Sequence, residues 1–146
     1  MDYANSLLLG ITKAQTNRMQ RMQNSAARLV TRTPKRAHIT PVLKDLHWLP
    51  AESRPKFKVF LFTYKALATS YLSELVTEYR PTRSLRSASQ HLLVKPQVNN
   101  HYGERSFRYQ AALLWNELPQ SVKDAPNIHR FKRLLKAYLF KLAFEK

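Results

Sequence analysis

Six cations fall between residues 18 and 36: Arg18, Arg21, Arg28, Arg32, Lys35 and Arg36. On a helix, at about 100° per residue, the four arginines share one stripe roughly 80° wide. Guanidinium and ammonium groups neutralise phosphates, so this stripe has the chemistry to lie along a nucleic-acid backbone. Most charge stripes are simply a solvated helix face. Two features lift this one above that bland reading: no acid occurs between residues 3 and 44, and arginine outnumbers lysine there. A second set combines Arg80, Arg83, Arg86 and Lys95 with Tyr79 and His91. Basic and aromatic residues interleaved in this way suit stacking on single strands, although irregular segments collect such residues in any case.

Catalytic groups are harder to find. A polymerase holds two metal ions about 4 Å apart on paired carboxylates. The aspartates here are Asp2, Asp45 and Asp124, widely separated and with no adjacent acid. A glycine-rich phosphate cradle is excluded with glycines only at positions 10 and 103. The five histidines, His38, His47, His91, His101 and His129, show no metal-ligand spacing. No cysteine is present, which removes disulfides, thiol catalysis and cysteine-held zinc. No nucleophile motif surrounds a serine. The expectation is a chain that is not an enzyme by itself and needs no cofactor.

The elements that must position the cations follow from charge and periodicity. With 146 residues, 44% of them hydrophobic, the chain has the material for one domain core. A net charge of +16 divides as +6, +5 and +5 over residues 1–50, 51–100 and 101–146, so the excess is not a basic tail. An evenly basic surface points to a polyanion, RNA or DNA, as partner; a membrane surface would satisfy the same charge. No apolar run reaches the length of a membrane span and no secretory leader pattern opens the chain, so an intracellular location, nuclear or cytoplasmic, is expected.

Periodicity predicts an all-α fold: helices over residues 2–78, an irregular connector over 79–103, and helices again over 104–146, in a single domain. A short helix ends at Gly10. Thr12 and Gln15 form a capping-box pattern that opens a helix to about Thr31, with Met19, Met22, Ala26, Leu29 and Val30 as its apolar face. Thr40-Pro41 reads as a cap and first residue of a short helix to about His47, ended by Trp48-Leu49-Pro50. Phe57, Phe60, Leu61, Tyr64, Leu67 and Ala68, widened by Val59 and Phe62, make the most apolar helix, expected at the centre of the core with Trp48 and Trp115 packed on it. Ser53 is expected to cap it, with Pro55 in its first turn. Tyr71 to Thr77 makes a further short helix. Within the connector, Leu92-Leu93-Val94 is expected to form a short strand paired with Ser84-Leu85-Arg86. A helix over Glu104–Glu117 buries Phe107, Ala111, Leu114, Trp115 and Leu118. Asn127 caps the last, whose inner stripe is Phe131, Leu134, Leu135, Tyr138 and Leu142. Both tryptophans read as core anchors rather than base-stacking platforms.

Residues 38–50 (HITPVLKDLHWLP) resemble the segment after the reverse transcriptase domain in polyproteins of LINE-type (non-LTR) retrotransposons. Further blocks follow in that family's order: Asp2-Tyr3 with residues 5–8 (NSLL), 20–30 (QRMQNSAARLV), 63–67 (TYKAL), 71–75 (YLSEL), 83–87 (RSLRS), 114–119 (LWNELP) and 131–136 (FKRLLK). The resemblance covers nearly the whole chain, and its weight lies in the order of the blocks. It implies a post-polymerase region that helps hold template RNA or target DNA, with an upstream reverse transcriptase core as a partner. Two departures, Ala68-Thr69-Ser70 where the family has a longer link and Pro55 within a helix, leave a second reading open: a decayed copy, or a structural or protein-interaction module with no dedicated ligand.

Without paired carboxylates, the chain is expected to give no extension of a primed RNA template with magnesium or manganese. Product that disappears on Asp45→Ala would overturn this.

Overall fold

Local capping signals set most element boundaries. The computed structural model describes residues 5–81, 83 and 90–145. Among these the chain is all-α: α1 (Lys13–Thr31), α2 (Ile39–Asp45), α3 (Ser53–Ala68), α4 (His101–Glu104), α5 (Phe107–Glu117), α6 (Gln120–Lys123) and α7 (Ile128–Phe144), with 3-10 turns at Asn5–Leu8 and Ser70–Leu75. No sheet occurs among the described residues; the β content is one isolated antiparallel bridge, Glu78 to Leu93.

The capping box forms as its residue types require. Thr12 Oγ1 accepts the Gln15 backbone N–H and Gln15 Oε1 accepts the Thr12 backbone N–H. Asn127 caps α7 by accepting the Arg130 N–H at 2.9 Å. Gly10, expected to stop the first turn, has φ 80°, where a side chain would be strained. Other boundaries depart from the sequence reading. Helix α2 starts at Ile39 after His38, not after Thr40, so Pro41 sits third in the first turn, where a missing N–H costs nothing. It ends at Asp45 in a Schellman arrangement: Trp48 N–H reaches Leu43 O, His47 N–H reaches Lys44 O, and His47 takes the left-handed conformation. Helix α3 already includes Ser53, which is therefore not its cap; Pro55 still falls in the first turn. The expected Glu104–Glu117 helix is broken at Arg105-Ser106, because Ser106 accepts the Tyr109 N–H and restarts the helix.

The chain groups into two compact units, one of residues 1–57 with 136–146 and the other of residues 58–135. In the first, α1 packs against α2, and Gln23, Ala27, Leu43, Leu49, Ala51 and Leu139 are buried. Phe140 stacks on His47 (5.9 Å between ring centres) and meets Phe144 at 4.7 Å.

In the second unit, α3 buries Val59, Phe60, Leu61, Thr63 and Ala66. Thr63 satisfies its hydroxyl by donating to Val59 O one turn back. Phe131 has no exposed surface; its ring lies 4.3 Å from Tyr64 and 6.0 Å from Trp115. The Tyr64 hydroxyl donates to Ala125 O. Phe62 and Ala68 of α3 and Leu142 of α7, all assigned to inner stripes by periodicity, are exposed instead, and Leu139 takes the place given to Leu142. Leu93 pairs with Glu78, through Tyr79 N–H to Leu92 O and Val94 N–H to Thr77 O, and the expected pairing with Ser84-Leu85-Arg86 falls on residues outside those described.

Phe131→Ala is expected to lower the unfolding free energy by about 3–5 kcal/mol, as for a fully buried aromatic. Phe62→Ala should cost less than about 1 kcal/mol. Equilibrium urea unfolding of both variants checks the ranking, and equal losses would contradict it.

Candidate nucleic-acid interface

Helix α1 carries the arginine stripe, and two glutamines set which way it faces. Gln23 Nε2 donates to Leu49 O at 2.8 Å and Gln20 Oε1 accepts the Ala51 N–H at 2.8 Å. These bonds turn the polar Gln20–Gln23–Ala27 side of α1 inward to the extended chain between α2 and α3. The expected apolar face is therefore largely turned out: Met22, Ala26, Leu29 and Val30 are exposed, Leu29 at 82%. Hydrophobic periodicity misorients the helix because the two hydrogen bonds that orient it are made to backbone distant in sequence.

Arg18, Arg21 and Arg32 remain exposed on this outward side, beside the apolar stripe. Arg32 ends α1 in the left-handed conformation with φ 53°, unusual for a residue with a side chain. The chain then turns at Pro34, closed by Ala37 N–H to Pro34 O, and exposes Lys35 and Arg36 at the corner. Arg28 is the exception. It is half-buried, its Nη2 donates to Ala37 O at 3.3 Å and its Nε is shielded from solvent. This bond ties the end of α1 to the turn that carries Lys35 and Arg36. Among the described residues, none of Arg18, Arg21, Arg32, Lys35 and Arg36 is in an ion pair.

The second sequence-derived set makes local contacts of its own. Arg80 lies 3.8 Å from the Glu78 carboxylate, and Lys95 Nζ sits 4.7 Å above the Tyr109 ring. Arg83 is exposed, and Arg86 lies outside the described residues. His91 is taken up by the fold: it adopts φ 46° and its carbonyl accepts the Trp115 indole N–H at 2.9 Å. Trp115 is thereby a core anchor, as its sequence context implies.

Sequence reasoning missed Lys123. It belongs to the four-residue helix α6 and lines a cleft of about 300 Å³ with Tyr64, Glu78, His91, Trp115 and Asp124. Its Nζ donates to Gln90 O at 3.2 Å. Burial pushes the Lys123 ammonium below the ordinary lysine range, and the nearby Asp124 carboxylate opposes this only in part. Nothing in the local pattern announces a buried lysine, since it follows from the packing of residues distant in sequence. No group of three or more His, Asp or Glu among the described residues could hold a metal ion, and no helix among them is long and apolar enough to cross a membrane.

Neither protein-family models, curated proteins nor solved structures give a match to this chain.

A lysine with a depressed folded-state value binds fewer protons in the folded than in the unfolded chain. The cost of burying its charge is present in full below the folded value and disappears as pH rises from there to the ordinary lysine value. Wild-type stability relative to Lys123→Met is therefore expected to rise across that alkaline window. A difference independent of pH in paired unfolding titrations would contradict the burial of the charge.

Proposed function

We propose that the chain is a non-catalytic module that binds the phosphate backbone of RNA or DNA through Arg18, Arg21, Arg32, Lys35 and Arg36. The observation that carries this reading is their arrangement on α1 and the following turn: five exposed cations without an ion pair among the described residues, in a stretch with no acid from residue 3 to 44. Unpaired arginines keep their full donor capacity for phosphate oxygens, and releasing counterions from the nucleic acid supplies the driving force. The outward face of a helix followed by a cationic corner follows a backbone without reading bases, so the module should show little sequence preference.

In keeping with the resemblance to the region that follows a LINE-type reverse transcriptase core, such a module would help hold template RNA or target DNA next to that core. The catalytic groups of reverse transcription would belong to the upstream partner.

If four or five phosphates are engaged, log K is expected to fall against log salt with a slope of about −3 to −4.5. Arg21→Gln with Arg36→Gln should flatten the slope by about 1.5 to 2 and leave the melting temperature unchanged. Arg28→Gln should instead lower the melting temperature, because it releases the Pro34 turn. Fluorescence anisotropy with a labelled RNA and a DNA of the same length measures both. An unaltered slope in the double variant would assign binding elsewhere, and no binding at low salt would favour a module without a dedicated ligand.

A further inference from the structure

The apolar stripe of α1 has an order that the phosphate-binding reading leaves unused. Met19, Met22, Ala26 and Leu29 recur at spacings of three, four and three, the a/d rhythm of a helix that packs along another helix. Met22 is 57% and Leu29 82% exposed, with Val30 beside them at 63%. A monomer gains nothing by holding these side chains in water in a single row. The flank positions are equally ordered. Assigning Met19 and Ala26 to a, Arg18 and Arg32 take g positions two heptads apart with Ser25 at the g between them, all exposed, whereas Gln23 at e is buried and committed to Leu49 O.

We infer that this face of α1 docks an acidic amphipathic helix of a partner protein. Apolar residues of the partner would cover Met22, Ala26 and Leu29, and its glutamates or aspartates would meet Arg18 and Arg32. Three considerations select this occupant. The stripe is the narrow a/d seam of helix pairing rather than the broad apolar face of a helix lying in a lipid interface, and α1 contains no aromatic residue to anchor at such an interface. A second copy of the chain is disfavoured by charge: an antiparallel pair of α1 helices sets g against g, arginine against arginine, and a parallel pair sets Arg18 against a Gln23 already used in the fold. Ala26, the smallest residue of the seam, sits mid-row and allows a partner backbone to approach. The inference shares Arg18 and Arg32 with the nucleic-acid reading but does not rest on it, since Met22 and Leu29, which carry no charge, distinguish the two.

The test uses the full chain and a labelled synthetic peptide of three heptads, with Leu at a and d and Glu at e and g. A scrambled peptide of the same composition is the control. The heptad peptide is expected to bind at least about tenfold more tightly than the scrambled one, and Met22→Gln with Leu29→Gln should remove about that factor. The same double variant should keep the wild-type melting temperature and its affinity for RNA. Arg18→Glu with Arg32→Glu, which leaves the apolar row intact, should shift preference to a heptad peptide with Lys at e and g. Equal binding of heptad and scrambled peptides, or binding insensitive to both variants, would overturn the inference. Self-association in sedimentation that is lost on Leu29→Gln would assign the face to a second copy and overturn it. Leu29-dependent binding to phosphatidylserine–phosphatidylcholine vesicles, without peptide discrimination, would overturn it in favour of a membrane surface.

Discussion

Backbone groups outside helices must find hydrogen-bond partners, and in a chain with no sheet among its described residues that requirement governs the rest of the structure. An unpaired buried N–H or C=O costs about 1–3 kcal/mol, comparable to the gain from burying one large apolar side chain. The protein meets it with side chains projected from helices onto extended segments. Gln20 and Gln23 of α1 hold Leu49 and Ala51. In the other unit Asn116 accepts the Leu93 N–H and donates back to Leu93 O, Trp115 donates to His91 O and Lys123 to Gln90 O. Asn116 thus does for Leu93 what a neighbouring strand would do in a sheet, and this is why a single β bridge suffices to order residues 90–94.

The same constraint sets which side chains α1 exposes. Because Gln20 and Gln23 are needed inward, the helix cannot also bury Met22 and Leu29, which lie on another side of its circumference. The arginine stripe and the apolar row then come to share the outward face. Arg28, which is half-buried, donates to Ala37 O beside the Pro34 turn.

What the sequence disclosed depended on how local the governing contacts are. The Thr12–Gln15 box and the Asn127 cap are interactions over three residues, and both formed where the residue types placed them. The left-handed ends at Arg32 and His47 were not legible, because neither is a glycine or an asparagine; the carbonyls they satisfy impose the conformation. The break at Ser106 could have been found, since a serine three residues before Tyr109 is an ordinary cap signal lying within an unbroken apolar period. The orientation of α1 was out of reach: its decisive bonds span 26 and 31 residues. Consequently periodicity assigns Met22, Ala26 and Leu29 to the core, whereas they lie exposed on the same outward side as Arg18, Arg21 and Arg32. In the second basic set, Arg80 approaches Glu78 and Lys95 lies over the Tyr109 ring, contacts that periodicity does not reveal.

The electrostatics of α1 run against its own stability. Its first turn contains no acid to complement the helix dipole, and Arg18–Arg21 and Arg28–Arg32 are like-charge pairs at the three- and four-residue spacings where repulsion costs about 0.2–0.5 kcal/mol each. Of the arginines, only Arg28 is repaid locally, through the last turn and its bond to Ala37 O. The helix is held by its capping box and by the two glutamine bonds, which supply roughly 1 kcal/mol apiece, enough to carry those repulsions but not to explain them. An exposed glutamate at position 18, 21 or 25 would relieve the repulsion without touching the core. These cations are kept at a local cost, exposed and outside any ion pair among the described residues, and a local conflict that packing does not require is where a binding surface is to be sought.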